Sequence, residues 1–142
     1  MSAALGGALI TSDTTSDELR VAWANAFGRN GDPSDAWDHA IKALEAALIP
    51  VVTPGKINAT LGSVLGELRA NQGNKWRSCF PGKDDDHSPT PLVKTLEQIW
   101  PNIDRHQGGA SRPPTEAEAR SVVALTAALI QAHRESPLVY KV

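Results

Sequence analysis

The sequence predicts an all-α domain, and three observations carry that prediction. Apolar residues recur at three- and four-residue intervals in five separate stretches. Capping residues and prolines punctuate the ends of those stretches. No stretch alternates apolar and polar residues as a half-buried strand would, and aromatic residues are few. The expected architecture is a five-helix, up-and-down bundle with one long irregular loop. At 142 residues the chain is sized for one domain with a single core. Its parts read as a flexible N-terminal lead-in over 1–14, a single helical domain over 15–136 and a C-terminal tail over 137–142.

The first expected helix runs from Asp17 to Arg29, with Thr15 and Glu18 at capping-box spacing. Its apolar face is Leu19, Ala22, Trp23, Ala26 and Phe27, and Gly28 and Gly31 offer a stop. The second opens on Asp32 as N-cap with Pro33 in the first turn. Trp37, Ala40, Ile41, Leu44, Ala47 and Leu48 form its stripe, while Asp38, His39, Lys42 and Glu45 take other faces, and Pro50 and Pro54 bracket its exit. The third spans Lys56 to Ala70 on Ile57, Leu61, Val64, Leu65 and Leu68. Gly62 and Gly66, four residues apart, either permit close helix approach or are merely tolerated. The irregular stretch follows from Asn71 to Ser88. The fourth helix starts at Thr90-Pro91 as cap and proline, buries Leu92, Val93, Leu96, Ile99 and Trp100, and ends at Pro101. The fifth starts at Thr115 with Glu118 completing a capping box, and turns Ala119, Val122, Val123, Thr126, Leu129 and Ile130 inward.

A formal net charge of −2 argues against a protein that coats nucleic acid, and leaves room for a local basic pocket. The single Cys79 excludes an intramolecular disulfide and suits a cytoplasmic location. No apolar run reaches the roughly 18–20 residues of a membrane span, so no membrane partner is expected. Ala3 to Ile10 is apolar but lacks the basic residues of a signal peptide.

Chemistry concentrates in the polar loop Asn102 to Pro114, which joins the last two helices. It sets Arg105 beside His106. An imidazole titrates near neutrality and can carry a proton, and a guanidinium can hold the charge of a phosphorane. Asn102 and Asp104 are placed to orient the pair, Arg112 to bind phosphate, and Gly108-Gly109 to let backbone approach. The plain alternative is a surface turn. From Arg69 to Lys83 there are four basic residues and no acidic ones. There Arg69, Lys75, Trp76 and Arg77 are candidate nucleic-acid contacts, or else a solvated loop with one tryptophan tucked inside. Asp84-Asp85-Asp86-His87 lacks the spacing of a calcium loop, so no metal and no cofactor are expected. His39 and His133 read as structural or solvent-facing, and Cys79 has no activating neighbour.

Those residues carry a family resemblance over Glu18 to His133. The chain resembles the C-terminal domain of abortive-infection proteins, within the HEPN-like helical superfamily. The resemblance lies in the order Ala22-Trp23, Ala36 through Glu45, Ile49 to Val52, Thr60 to Leu68, Leu96 to Trp100, Asp104-Arg105-His106 and Glu116 to Ile130. It implies a helical bundle that forms a homodimer, in phage–host conflict, with RNA or a partner protein bound. In active members an arginine, a polar neighbour and a histidine four to six residues on make a ribonuclease site at the dimer cleft. Carried over, these roles fall on Arg105 and His106, which are adjacent here, with Asp104 preceding rather than following the arginine. The function implied is metal-independent RNA cleavage or RNA binding, or alternatively a non-enzymatic dimeric interaction module with a degenerate site.

Overall fold

The computed structural model describes residues 3–8, 13–105 and 111–142. Six α-helices and one two-stranded sheet are seen among them: α1 (Ala3–Ala8), α2 (Thr14–Phe27), α3 (Pro33–Val52), α4 (Leu61–Arg69), β1 (Trp76–Ser78), α5 (Thr90–Glu97), α6 (Glu116–Glu135) and β2 (Val139–Lys141). α3 is the central element and packs on α2, α4 and α6; α6 also meets α1 and α2, and α4 meets α5. No helix among the described residues is long and apolar enough to cross a membrane.

Helix starts follow local chemistry, with three corrections. Asp32 accepts the amides of Ser34 and Asp35 at the head of α3, and Thr115 and Glu118 cap α6 reciprocally, both as the sequence predicts. At α2, however, Asp13 is the cap and accepts Ser16 N–H at 2.8 Å. Thr15 lies buried one residue into the helix, and the Glu18 carboxylate reaches His39 instead. At α5 the cap position is Pro89 and Thr90 is already helical, without a side-chain cap.

The expected start of the third helix at Lys56 also moves. Ile57 is 85% exposed, and the helix begins at Leu61, where Thr60 and Ser63 cap reciprocally. The Glu45 carboxylate on α3 accepts Leu61 N–H at 2.8 Å, so the helix start is set partly by its neighbour. The exit of α3 falls between Pro50 and Pro54 as expected, with Pro50 inside the last turn and Thr53 as the C-cap. A proline so near the end removes one amide donor, and buried Val52 and the Thr53 N–H to Ile49 carbonyl bond hold the last turn.

Within the expected lead-in Ala3–Ala8 form a helix, and within the expected tail Val139–Lys141 form a strand. α1 buries Leu5 and Ala8 against the bundle. The C-terminal residues form β2, antiparallel to β1 with Trp76 opposite Lys141, Arg77 opposite Tyr140 and Ser78 opposite Val139. Leu138 and Val139 are fully buried, and that burial is what holds so short a strand. Trp37 is core as expected, its indole N–H donating to the Ile99 carbonyl at 2.7 Å. Trp23 is only half-buried and Phe27 exposed, stacked on each other at 4.4 Å with Arg120 over the Phe27 ring.

Candidate functional site

One polar face of α3 builds a site. Asp38, Ile41, Lys42 and Glu45 are three and four residues apart and therefore share a side of the helix. Facing them is the chain after α5, contributing Trp100, cis-Pro101, Asn102 and Arg105. Between the two lies an open groove of about 660 Å³.

Asn102 is the keystone. It is 1% exposed, and its amide nitrogen donates to the Ser34 carbonyl at 3.1 Å and to Asp38 Oδ1 at 2.9 Å. Its side-chain oxygen accepts Asp104 N–H at 3.0 Å, which tightens the 3-10 turn Ile103–Arg105. Ser34 Oγ–H donates to the Asp104 carboxylate at 2.8 Å. Thus the orienting roles expected of Asn102 and Asp104 go to holding the turn against α3.

Arg105 then reaches back across the groove and donates from Nη2 to Asp38 Oδ2 at 2.8 Å. Its side chain remains 65% exposed. The Asp38 hydrogen bond, and then the Asp38 charge, raise the pKa of the guanidinium. Among the described residues only one of its nitrogens is engaged. Lys42, one turn along from Asp38, makes no ion pair or hydrogen bond among the described residues. Glu45 is drawn into capping α4, and burial raises its carboxyl pKa against the pull of the Leu61 amide and the Lys42 charge.

His106 and the Gly108-Gly109 pair are outside the described residues. On the far side of that stretch, Ser111 Oγ–H donates to the Asp104 carbonyl at 2.8 Å. Arg112 does not line the groove; both its terminal nitrogens are bound to Glu118 at 2.8 Å, at the head of α6.

In the candidate nucleic-acid stretch, the tryptophan is the one tucked inside. Trp76 is 4% exposed, in β1, and offers no face to a base. Arg69 pairs with Glu97 at 3.0 Å, Lys75 with Glu67 at 2.7 Å, and Arg77 is turned onto the carbonyls of Asn74 and Trp76. No group of three potential metal ligands occurs among the described residues. His87 bonds the Ser78 carbonyl, and burial raises the Cys79 thiol's pKa.

Sequence reasoning missed Ser34, Asp38 and Lys42 as site residues. The available signal was their four-residue spacing on the polar side of a strongly patterned helix.

Fold and groove together define a small helical domain that sets an arginine braced by Asp38, and a lysine beside Glu45, along one groove with an indole. Compared with protein-family models, curated proteins and solved structures, the chain matches none.

Proposed function

We propose that this chain is a dimeric, HEPN-like helical domain that binds RNA at the Arg105 groove and cleaves it without a metal, in a phage–host conflict. The observation that carries the reading is Arg105 itself: exposed, held by Asp38, and lining the groove with a single nitrogen engaged among the described residues. A braced guanidinium with free N–H groups suits a phosphodiester, and bracing lowers the entropy lost on binding.

The chemistry is internal transesterification. The ribose 2′-oxygen attacks phosphorus, the 5′-oxygen leaves, and the products are a 2′,3′-cyclic phosphate and a 5′-hydroxyl end. One base must take the 2′-hydroxyl proton and one acid must protonate the leaving oxygen. Each chain supplies one His106, directly after Arg105; a dimer supplies two, which gives the pairing a chemical purpose. Arg105 stabilises the phosphorane charge.

The test is incubation of RNA with the purified full chain in excess chelator, beside a mass measurement in solution. Cyclic-phosphate ends with wild type, lost in His106→Ala and in Arg105→Ala, are the expected result for a dimer. Wild type that binds a partner protein but leaves RNA whole overturns cleavage and favours the interaction-module alternative.

A further inference from the structure

We infer that the C-terminal strand is a strap released by a proton: protonation of His133 on Nδ1 frees residues 138–142 from β1 while the helical bundle stays folded. This device lies in the last turn of α6 and the strand after it, apart from the Arg105 groove.

Ser136-Pro137 lead from the end of α6 into β2. The Leu138 N–H donates to His133 Nδ1 at 3.0 Å, so that nitrogen carries a lone pair and the ring proton sits on Nε2. The Ala47 carbonyl of α3 accepts a hydrogen bond from the ring, which the same neutral form supplies. One neutral imidazole thus ties the strand to two helices. A second proton, on Nδ1, sets two donors against each other and takes the acceptor from Leu138. Leu138 and Val139 are fully buried, so that amide has no water to turn to while the strand is docked. Lifting the strand relieves the conflict with the least disruption, because β2 has three residues and one neighbouring strand, β1.

The charges around the ring set the direction of the effect. From α6, Arg134 stands beside it, paired with Asp13 at 3.1 Å, and Glu135 is exposed and bonded to Gln131. From the head of α2 comes Asp13, whose carboxyl the Ser16 amide and Arg134 keep below its ordinary value against its burial. α3 brings Ala46 and Ala47 to the same hollow, and no charge; Tyr140 and Lys141 of β2 do not line it. Burial, then the Arg134 charge, lower the His133 pKa, with the Ala47 carbonyl drawing it back. Strand release therefore takes up a proton. The open fraction grows as pH falls below 6.5, by up to about tenfold per pH unit, until the lowered value is passed. The sheet's other imidazole works the opposite way. His87 Nδ1 lies 2.9 Å from the Ser78 carbonyl, which can only accept, so the ring donates there. A proton added on Nε2, with Asp85 at 3.6 Å, leaves that bond intact.

The test is native-state amide exchange of the full chain by NMR, from about pH 7.5 down to about pH 4.5, corrected for intrinsic rates. The Leu138, Tyr140 and Val142 amides, with Cys79 across the pair, should lose protection together, by up to about tenfold per pH unit. The Leu44 amide of α3 and the Val123 amide of α6 should keep theirs. Ring shifts of His133 in the same samples should show the Nε2 proton at neutral pH. His133→Gln supplies an oxygen that accepts the Leu138 amide without titrating, and should flatten the dependence. His87→Ala should leave it in place. Equal loss of protection in strand and helices means global unfolding and overturns the inference. A strand that stays protected while the His133 ring titrates overturns it too, since the ring then turns out and the strand remains. So does a pH dependence that survives His133→Gln. If melting curves show that variant unfolded, the wild-type comparison of strand with helix amides decides alone.

Discussion

The two glycines of α4 look equivalent in the sequence, and the structure makes their substitution by alanine differ in sign. Gly66 is exposed, and a Cβ added there meets nothing within 4 Å. Gly66→Ala should therefore collect the full helix-propensity gain of about 1 kcal/mol. A Cβ on Gly62 would lie 2.7 Å from Trp100 Nε1 and 3.1 Å from Cε2. The indole is packed on the core and cannot swing away freely. Overpacking of that kind costs about 1–3 kcal/mol, so Gly62→Ala should be neutral to destabilising despite its propensity gain. The two variants should differ by about 1–3 kcal/mol in urea unfolding, with Gly66→Ala melting about 3–5 °C above wild type. Displacement of the indole should also alter the near-ultraviolet circular dichroism of Gly62→Ala alone. Equal stabilisation by both alanines would refute the claim that Gly62 is kept small by Trp100.

Three further outcomes follow from single side chains. His133 Nδ1 accepts the Leu138 amide at 3.0 Å, and burial, then the Arg134 charge, lower its pKa, so the fold prefers the neutral ring. Stability should be complete above the ordinary value of 6.5 and fall as pH drops through the lowered one, with Leu138 amide exchange rising first; a flat profile in the wild type, or an unchanged one in His133→Ala, counts against it. Glu118 is held down to about 2 by Arg112 and the Thr115 amide, so its contribution to α6 should persist below pH 4.5 and vanish only as pH approaches 2; Glu118→Gln should remove that acid-range dependence from melting curves. Thr126 is fully buried with its hydroxyl unpartnered among the described residues, so Thr126→Val should stabilise by about 1 kcal/mol in urea unfolding, and a loss of stability would show the hydroxyl to be satisfied.

Most of the helices were legible in the sequence because their signals are local. Asp32-Pro33 and Thr115 with Glu118 mark helix starts within one turn, and the stripes of α3 and α6 repeat over five turns. α1 was not legible, because six residues containing two glycines have no helical preference of their own. The strands were not legible either, since three residues carry no period. Their pairing joins positions more than sixty residues apart, with burial of Leu138 and Val139 supplying the stability. In the candidate site, Arg105, Asn102 and Asp104 stood out by type and proximity. Arg112 stood out equally and proved to be spent on Glu118, because a carboxylate six residues away on a helix start suits a guanidinium well.

From its sequence alone, this chain was committed to amphipathic helices, their main stops and a polar loop bearing an arginine. Periodicity and capping act over a few residues and are written in order along the chain. Tertiary structure alone chose Asp38 as the partner of Arg105, Trp100 as the wall over Gly62, and Trp76 for the interior. Those choices depend on which helix faces meet, and such meetings are decided by packing one whole core at once.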